Sequence, residues 1–200
     1  MAQQERTFIA IKPDGIQRHL IGEIIERFEN RGLKLIAAKL IAPTKEMVLK
    51  QYPDDDEWYV SLGTRTIAGY EERGIKIDKT PIEIGKMIRE QLVDYISERP
   101  VLAQVWEGPH AVELGRKTVG HTNPLKADVG SVRGDYSMES YFLADDMQRA
   151  LQNMVHASGS VEEAKNEIAI WFDESEILDY DLLSQEVTFG KNWGKVRRNK

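Results

Sequence analysis

Residues 5–39, "ERTFIAIKPDGIQRHLIGEIIERFENRGLKLIAAK", show two different side-chain periodicities in succession. Side chains alternate between two faces from residue 7 to residue 12, which predicts a strand, and a Pro-Asp-Gly turn follows it. Apolar residues at positions 20, 21, 24, 25 and 28 then recur at helical spacing, and Gly32 favours the end of that helix. A second apolar stretch over 33–43 predicts the next strand. The segment is therefore a strand–helix–strand unit.

The rest of the chain continues this alternation of strands and helices. Further helices are predicted over 44–52, opened by Thr44, within the charged segment 54–93, over 109–120, weakly over 145–152, and from Ser160 onward. Ser160 and Glu163 have the spacing of a capping box. Strands are predicted over 100–108 and 153–157, and a long loop over 121–137. Four strands with helices indicate an α/β (α+β) sandwich, which we expect to carry its helices on one face of the sheet.

Composition limits the functions that this chain can have. It has 200 residues, enough for one domain spanning 1–200, and a formal net charge of −6, which argues against nucleic acid or an acidic membrane as its main partner. It has no cysteine, which excludes disulfides and thiolate metal sites. The charged N-terminus shows no signal peptide, and no apolar run could span a bilayer. We expect a cytoplasmic protein.

His156 lies in "NMVHASGSVEEAKNEIAIWF", residues 153–172, between a short strand and a helix that begins near Ser160. Small residues around it would let a ligand approach, and a helix N-terminus favours phosphate. Glu167 borders the apolar face of that helix, where its carboxylate could orient the imidazole of a nucleophilic histidine. On these residues alone, a structural histidine held by hydrogen bonds at a strand end is the more economical interpretation.

Three basic residues could bind an anion. Lys12 ends the first strand, although a solvated lysine is the simpler interpretation there. Arg116 and Arg133 flank the 121–137 loop, and a guanidinium can bind phosphate through two parallel hydrogen bonds. His19, His110 and His121 have no spaced His, Asp or Glu partners, so the sequence predicts no protein metal site.

Several of these blocks resemble the nucleoside diphosphate kinase family. Residues 5–39 are similar to its N-terminus, and "VWEGPHAVELGRKTVGHTNP", "GSVRGDYS" and residues 153–172 resemble its later blocks, the last being similar to the signature around the catalytic histidine. The resemblance covers about residues 5–53 and 93–172. It implies a ferredoxin-like βαββαβ core with a four-stranded antiparallel sheet. It also overturns the structural interpretations of His156 and Lys12.

The resemblance implies a ping-pong transfer in which His156 takes the γ-phosphate of a nucleoside triphosphate, usually ATP, and passes it to a nucleoside diphosphate. The catalytic residues that it implies are His156, Glu167, Ser158, Lys12 and Tyr52. The nucleotide-binding residues are Lys12, Arg116, Thr122, Arg133 and Asn153, with Lys12 and Asn153 also at the ribose hydroxyls. Mg²⁺ would bridge phosphate oxygens of the nucleotide rather than sit in a protein cage. The family also implies a homo-oligomer, most often a hexamer.

The sequence departs from the family at three places. Gly159 stands where the family commonly has an aspartate. Insertions are predicted at about 54–92 and 137–150, as in longer forms that resemble archaeal members, and a basic tail at 188–200 would be mobile or reach a neighbouring subunit. The first insertion falls where the family stacks a phenylalanine on the base. Trp58, Tyr59 and Leu62 are the candidates to replace it, the aromatic ones being favoured.

Two other functions are weighed against kinase activity. A nucleotide-binding or scaffolding module with weakened catalysis would be expected to lose the histidine, which this chain retains. A nucleic-acid-binding role would use the same sheet, but the net charge and the absence of an aromatic RNA-binding pattern argue against it. The sequence therefore favours the phosphotransferase.

Overall fold

The protein, a computed structural model, is described at residues 4–190 and 194. Its strands are β1 (Glu5–Ile11), β2 (Lys34–Ile41), β3 (Val101–Gly108) and β4 (Val155–Ala157). Its α-helices are α1 (Pro13–Gln17), α2 (Ile21–Glu29), α3 (Lys45–Gln51), α4 (Asp56–Glu71), α5 (Pro81–Ser97), α6 (Ala111–Val119), α7 (Val132–Tyr136), α8 (Tyr141–Asp146), α9 (Val161–Trp171) and α10 (Gln185–Phe189). Single turns of 3-10 helix lie at Pro124–Lys126 and Glu174–Glu176.

The sheet is antiparallel throughout and has the strand order β2-β3-β1-β4. This arrangement confirms the predicted four-stranded antiparallel sheet and the βαββαβ core, in which α2 and α6 are the crossover helices. β1 is central, so both of its neighbours, β3 and β4, are fixed to the same strand. The short strand β4 therefore holds His156 directly opposite Ala10 of β1.

Helices cover both faces of the sheet, so the prediction of helices on one face was wrong. Ile9 and Ile11 of β1 pack in a core with α2 and α6, whereas Phe8 and Ala10 pack in a second core with α3, α5 and α9. The physical reason is that β1 is apolar on both faces, and each face must be removed from water.

The chain between β2 and β3 includes two long antiparallel-packed helices, α4 and α5. The predicted insertion at 54–92 contains α4 and most of α5, which continues to Ser97. Their backbones approach closely at two glycines. A Cβ atom on Gly63 would lie 1.9 Å from the Pro81 carbonyl oxygen, and one on Gly85 would lie 2.3 Å from that of Tyr59. Only glycine fits these two contacts.

The second predicted insertion, 137–150, contains α8 and contacts the first one. Arg73, two residues after the end of α4, forms an ion pair with Asp145 of α8 at 2.9 Å. The helix predicted weakly over 145–152 instead covers Tyr141–Asp146, because Ser140 caps it by accepting a hydrogen bond from the Leu143 N–H at 3.1 Å. The 121–137 loop likewise includes α7, which Ser131 caps.

The sheet edge at β2 is covered by the chain that follows α9. The Leu178 N–H donates to the Ile36 carbonyl at 2.8 Å, and the Tyr180 hydroxyl donates to the Leu35 carbonyl at 2.7 Å. Such contacts satisfy edge carbonyls that would otherwise invite another strand. Of the predicted basic tail, only residues 188–190 and 194 lie within the described residues. Among the described helices, none is long and apolar enough to cross a membrane.

Candidate active site

His156 projects from β4 on the side of the sheet where α9 packs. Its ring lies 5.9 Å from that of Phe8, which in turn stacks on Trp171 of α9 at 5.4 Å. The His156 side chain keeps 22% of its surface exposed, so it is held by packing and still open to a ligand. His156 lines a small cleft together with Lys12 and Tyr52, among others.

Glu167 of α9 fixes the imidazole. His156 Nε2 lies 2.6 Å from Glu167 Oε1, and Ser158 Oγ donates to Glu167 Oε2 at 2.5 Å. Glu167 is only 4% exposed, and Ser158 is fully buried, where its Oγ also accepts a hydrogen bond from the Phe8 N–H at 3.1 Å. A carboxylate can only accept, so the neutral imidazole carries its proton on Nε2. Nδ1 is then left with the free lone pair.

Gln51, at the end of α3, holds the same carboxylate from another helix. Its Nε2 donates to Glu167 Oε1 at 2.5 Å, and its Oε1 accepts a hydrogen bond from Trp171 Nε1. Because the indole N–H can only donate, it fixes which end of the amide faces Glu167. Two donors, from His156 and Gln51, therefore converge on one oxygen.

Lys12, Asn153 and Arg133 form a buried polar group at the beginning of β4. Lys12 Nζ donates to Asn153 Oδ1 at 2.8 Å, and Asn153 Nδ2 donates to the Thr122 carbonyl at 2.9 Å. Burial, and then the nearby charge of Arg133, lower the pKa of Lys12 to about 8. The ammonium group is still mostly charged at neutral pH, and it is held ready at the end of the first strand.

The two arginines lie along the free edge of β4. Arg133 is 4% exposed and donates to three carbonyls: those of Asn153 at 3.1 Å, Gly120 at 2.8 Å and Val155 at 2.5 Å. Burial, and then the charge of Arg116, lower the pKa of Arg133 to about 10. Arg116 is exposed and reaches the Ala157 carbonyl at 3.4 Å.

These cations lie close to one another, and Asp14 is an acidic residue whose charge acts on both Lys12 and Arg133. In the part of the chain that the structure describes, no ion pair within 4.0 Å involves Lys12, Arg116 or Arg133. Burial lowers the pKa of both Lys12 and Arg133. The charge of a neighbouring arginine lowers each pKa further: Arg133 acts on Lys12, and Arg116 acts on Arg133. A cluster of this kind favours an anion, and phosphate oxygens match its donors.

Comparison with known proteins identifies the family. The sequence model of the nucleoside diphosphate kinase family matches residues 5–61 and 82–177. The chain belongs to the nucleoside diphosphate kinase family. A nucleoside diphosphate kinase from Pyrobaculum aerophilum is 43% identical over 180 residues, which cover 88% of this chain and 98% of the relative. The predicted family and the predicted enzyme class, a kinase acting on nucleotides, are thereby confirmed.

Two solved structures support the same assignment. The crystal structure of an NDP kinase from Pyrobaculum aerophilum has a TM-score of 0.85 and 41% identity, covering 88% of this chain and all of that one. A transition-state mimic of the Borrelia burgdorferi nucleoside-diphosphate kinase, with bound vanadate and ADP, has a TM-score of 0.74 and 30% identity, covering 92% of this chain and 96% of that one. The family's sequence model leaves residues 62–81 unmatched, and these lie inside the α4–α5 segment.

Trp58 and Tyr59, the aromatic candidates for base stacking, lie next to each other and close to Tyr52. Tyr52 is half-buried in the cleft, and burial, followed by the charge of Glu167, raises the pKa of its hydroxyl, so the hydroxyl stays protonated. Trp58 is half-buried and its ring lies 6.3 Å from that of Tyr52. Tyr59 is 4% exposed and donates to Asp54 at 2.5 Å, so its ring offers little surface; Leu62 is half-buried.

Two further residues of the site, Gln51 and Trp171, could not be assigned to it from the sequence. Gln51 stands in the last turn of α3, and no motif distinguishes a glutamine there from a solvated one. Trp171 follows Glu167 by four residues, which places both side chains on one face of α9. This spacing is the one local indication that both could contact the same residue, Gln51.

The predicted capping box forms only in part. Ser160 Oγ accepts from the Glu163 N–H at 3.0 Å, but the Glu163 carboxylate accepts from Gly159 instead of Ser160.

One group of metal-type ligands exists among the described residues, made by His156, Glu163 and Glu167. One ligand atom from each lies within 4.8 Å of the others. Both Glu167 oxygens already accept hydrogen bonds, from His156, Gln51 and Ser158. The arrangement therefore suits an oriented imidazole better than a resident metal ion.

Proposed function

We propose that His156 carries the phosphoryl group in a ping-pong transfer from a nucleoside triphosphate, usually ATP, to a nucleoside diphosphate. The observation that carries this proposal is the contact between His156 Nε2 and the buried Glu167 carboxylate at 2.6 Å. It fixes the ring, leaves Nδ1 unprotonated and supplies a negative charge that stabilises the imidazolium character of a phosphorylated ring.

In the first half-reaction, Nδ1 attacks the γ-phosphorus of the triphosphate. The N–P bond forms as the bond to the β–γ bridging oxygen breaks, and the electron pair leaves with the nucleoside diphosphate. In the second, a terminal oxygen of another diphosphate attacks the same phosphorus and the N–P bond breaks. Nε2 keeps its proton against Glu167 in both steps, so ring orientation is not lost between them.

The cation cluster would hold the phosphates during transfer. Lys12 and Asn153 are joined at 2.8 Å, in position for phosphate oxygens and ribose hydroxyls, and Thr122 is tied to Asn153 through its carbonyl. Arg116 is exposed and can turn toward a phosphate, whereas Arg133 keeps two N–H groups beyond the three that it donates to carbonyls. Positioning and charge neutralisation account for most catalysis of phosphoryl transfer.

Tyr52 and Trp58 complete the nucleotide site in this proposal. The Tyr52 hydroxyl, kept neutral by its raised pKa, can donate to the transferred group. Trp58 is the better candidate to stack on the base because more of it is open than of Tyr59, with Leu62 beside it. Stacking uses the face of a base and would allow a broad range of bases.

Mg²⁺ would enter with the nucleotide. The residues near the cleft fit this route, because the donors there are cationic or amide groups and the Glu167 oxygens already accept hydrogen bonds. When bound, the ion lowers the negative charge on the phosphate oxygens. We also propose a homo-oligomer, most often a hexamer in this family, and a cytoplasmic location, which the absence of cysteine fits.

The proposal is tested by intact-mass measurement after incubation with ATP and Mg²⁺. The wild type should gain one acid-labile phosphoryl group, which addition of GDP removes. His156→Asn should gain none, whereas His110→Asn, at an exposed histidine with positive φ that asparagine tolerates, should behave as the wild type. Nucleotide binding without a phosphoryl adduct on the wild type would instead indicate a nucleotide-binding or scaffolding module.

A further inference from the structure

Glu163 brings a second carboxylate to His156. It is the third residue of α9, and its Oε2 accepts a hydrogen bond from the Gly159 N–H at 3.0 Å. A carboxylate oxygen of Glu163, a ring nitrogen of His156 and a carboxylate oxygen of Glu167 lie within 4.8 Å of one another. The side chain therefore folds back over the helix start toward the reacting ring.

A side chain at Gly159 would displace this carboxylate but would not strain the Gly159 backbone. Gly159 is not among the glycines with positive φ, so an L side chain would be tolerated by its conformation. A Cβ atom built there would lie 2.6 Å from Glu163 Oε2, and its three nearest atoms beyond the neighbouring residues all belong to Glu163. Gly159 and Glu163 are thus a linked pair, because the position of the Glu163 carboxylate depends on the absence of a side chain at Gly159.

The two carboxylates at His156 differ in their surroundings. Glu167 is buried and accepts hydrogen bonds from three side chains, which hold it as the orienting partner of the ring. Glu163 is exposed. Its carboxylate accepts a hydrogen bond from the Gly159 N–H, and its backbone N–H donates to Ser160 Oγ. Glu163 is therefore not needed to orient the His156 ring. Its negative charge would instead act on a phosphoryl group attached to that ring.

We infer that Glu163 sets the equilibrium of the first half-reaction, by placing a negative charge beside the phosphoryl group on His156 and by occupying the Gly159 N–H that this group could otherwise use. The inference rests on the proposed phosphohistidine mechanism. The N–P and P–O bonds exchange as described above, and no further reactant enters. The carboxylate disfavours the phosphorylated enzyme relative to the triphosphate, so that the group is passed on readily.

The size of the effect follows from Coulomb's law. A unit charge about 6 Å from a phosphoryl group carrying one to two negative charges, in surroundings close to water, changes the equilibrium about three- to tenfold. A water-like dielectric is appropriate because Glu163 is exposed. Salt should reduce the effect for the same reason.

The experiment measures the fraction of phosphorylated enzyme by intact mass at fixed ratios of ATP to ADP. Glu163→Gln keeps the side-chain shape and an oxygen for the Gly159 N–H but removes the charge. It should shift the equilibrium about three- to tenfold toward the phosphoenzyme, and by less at 1 M salt. Glu162→Gln, an equal charge change on the same exposed turn, is the matched control and should shift it far less.

A second pair of variants moves the charge instead of removing it. Glu163→Ala should shift the equilibrium as Glu163→Gln does, and adding Gly159→Asp, which then has room for its side chain, should return it toward the wild-type value. Equal shifts for the two glutamine variants, or no shift for Glu163→Gln while the wild type is phosphorylated normally, would overturn the inference. Absence of a phosphoenzyme in the wild type would instead refute the proposed function.

Discussion

Replacing Gln51 with leucine should make the position of the Glu167 carboxylate beside His156 less well defined. The substitution removes the hydrogen bond to Glu167 Oε1 at 2.5 Å and leaves the N–H of Trp171, which is 3% exposed, without its acceptor. A hydrogen bond to a charged group contributes about 1.5–3 kcal/mol, and an orphaned buried donor costs about 1–3 kcal/mol. Because the two losses share one side chain, we expect the free energy of unfolding to fall by about 2–4 kcal/mol.

The rate of His156 phosphorylation should fall as well, about tenfold, which corresponds to about 1.4 kcal/mol of lost transition-state stabilisation. Urea denaturation measures the first quantity, and rapid-quench phosphorylation by ATP measures the second. Gln91→Leu is the matched control, because the Gln91 amide makes only a surface hydrogen bond, to the Gln148 carbonyl at 3.3 Å. If Gln51→Leu matched this control in both stability and rate, the role assigned to Gln51 would be refuted.

Three further predictions concern Lys12, Arg133 and Gly63. The free energy of unfolding should rise with pH between about 8 and 10.5, because the unfolded chain still binds the proton that buried Lys12 has released; in Lys12→Met that rise should shrink, and an unchanged slope in urea titrations would contradict the lowered pKa. Arg133→Lys should lower the free energy of unfolding by about 2–4 kcal/mol, since one ammonium cannot serve three carbonyls; thermal denaturation at wild-type temperature would argue against this. Gly63→Ala should lower the free energy of unfolding by about 1–3 kcal/mol or more. Gly69→Ala, whose Cβ position has no neighbouring atom within 4 Å, should raise it slightly. Equal unfolding midpoints for the two variants would exclude the close contact between Gly63 and Pro81.

Local pattern was sufficient for much of the fold. The 5–39 unit predicted β1, α2 and β2, and the Thr44 cap is present, with its hydroxyl accepting from Met47 at 3.2 Å. These features depend on side-chain period and on short-range hydrogen bonds, both of which are readable along the chain. The covering of both sheet faces was missed, because a period-two pattern shows which residues share a face but not what packs against it.

The candidate site was predicted unevenly for a related reason. The contact between Glu167 and His156 was expected from the helix position of Glu167, and the structure has it at 2.6 Å. Gln51 reaches the same carboxylate from a helix more than a hundred residues away, which no local pattern encodes. Arg133 was expected to bind phosphate, but its residue type does not tell whether its donors also hold backbone carbonyls. The Glu163 carboxylate occupies space that a Cβ atom on Gly159 would enter. The sequence shows both residues but not that they meet.

In the proposed mechanism, the Glu167 contact reserves Nε2 of His156 and leaves Nδ1 to accept the phosphoryl group. The most direct test is a phosphorus–proton NMR correlation on the protein phosphorylated with ATP, denatured in alkali and compared with the two phosphohistidine isomers. The structure predicts phosphorus on Nδ1. Phosphorus on Nε2 would mean that the Glu167 hydrogen bond is broken during transfer, and it would contradict the mechanism.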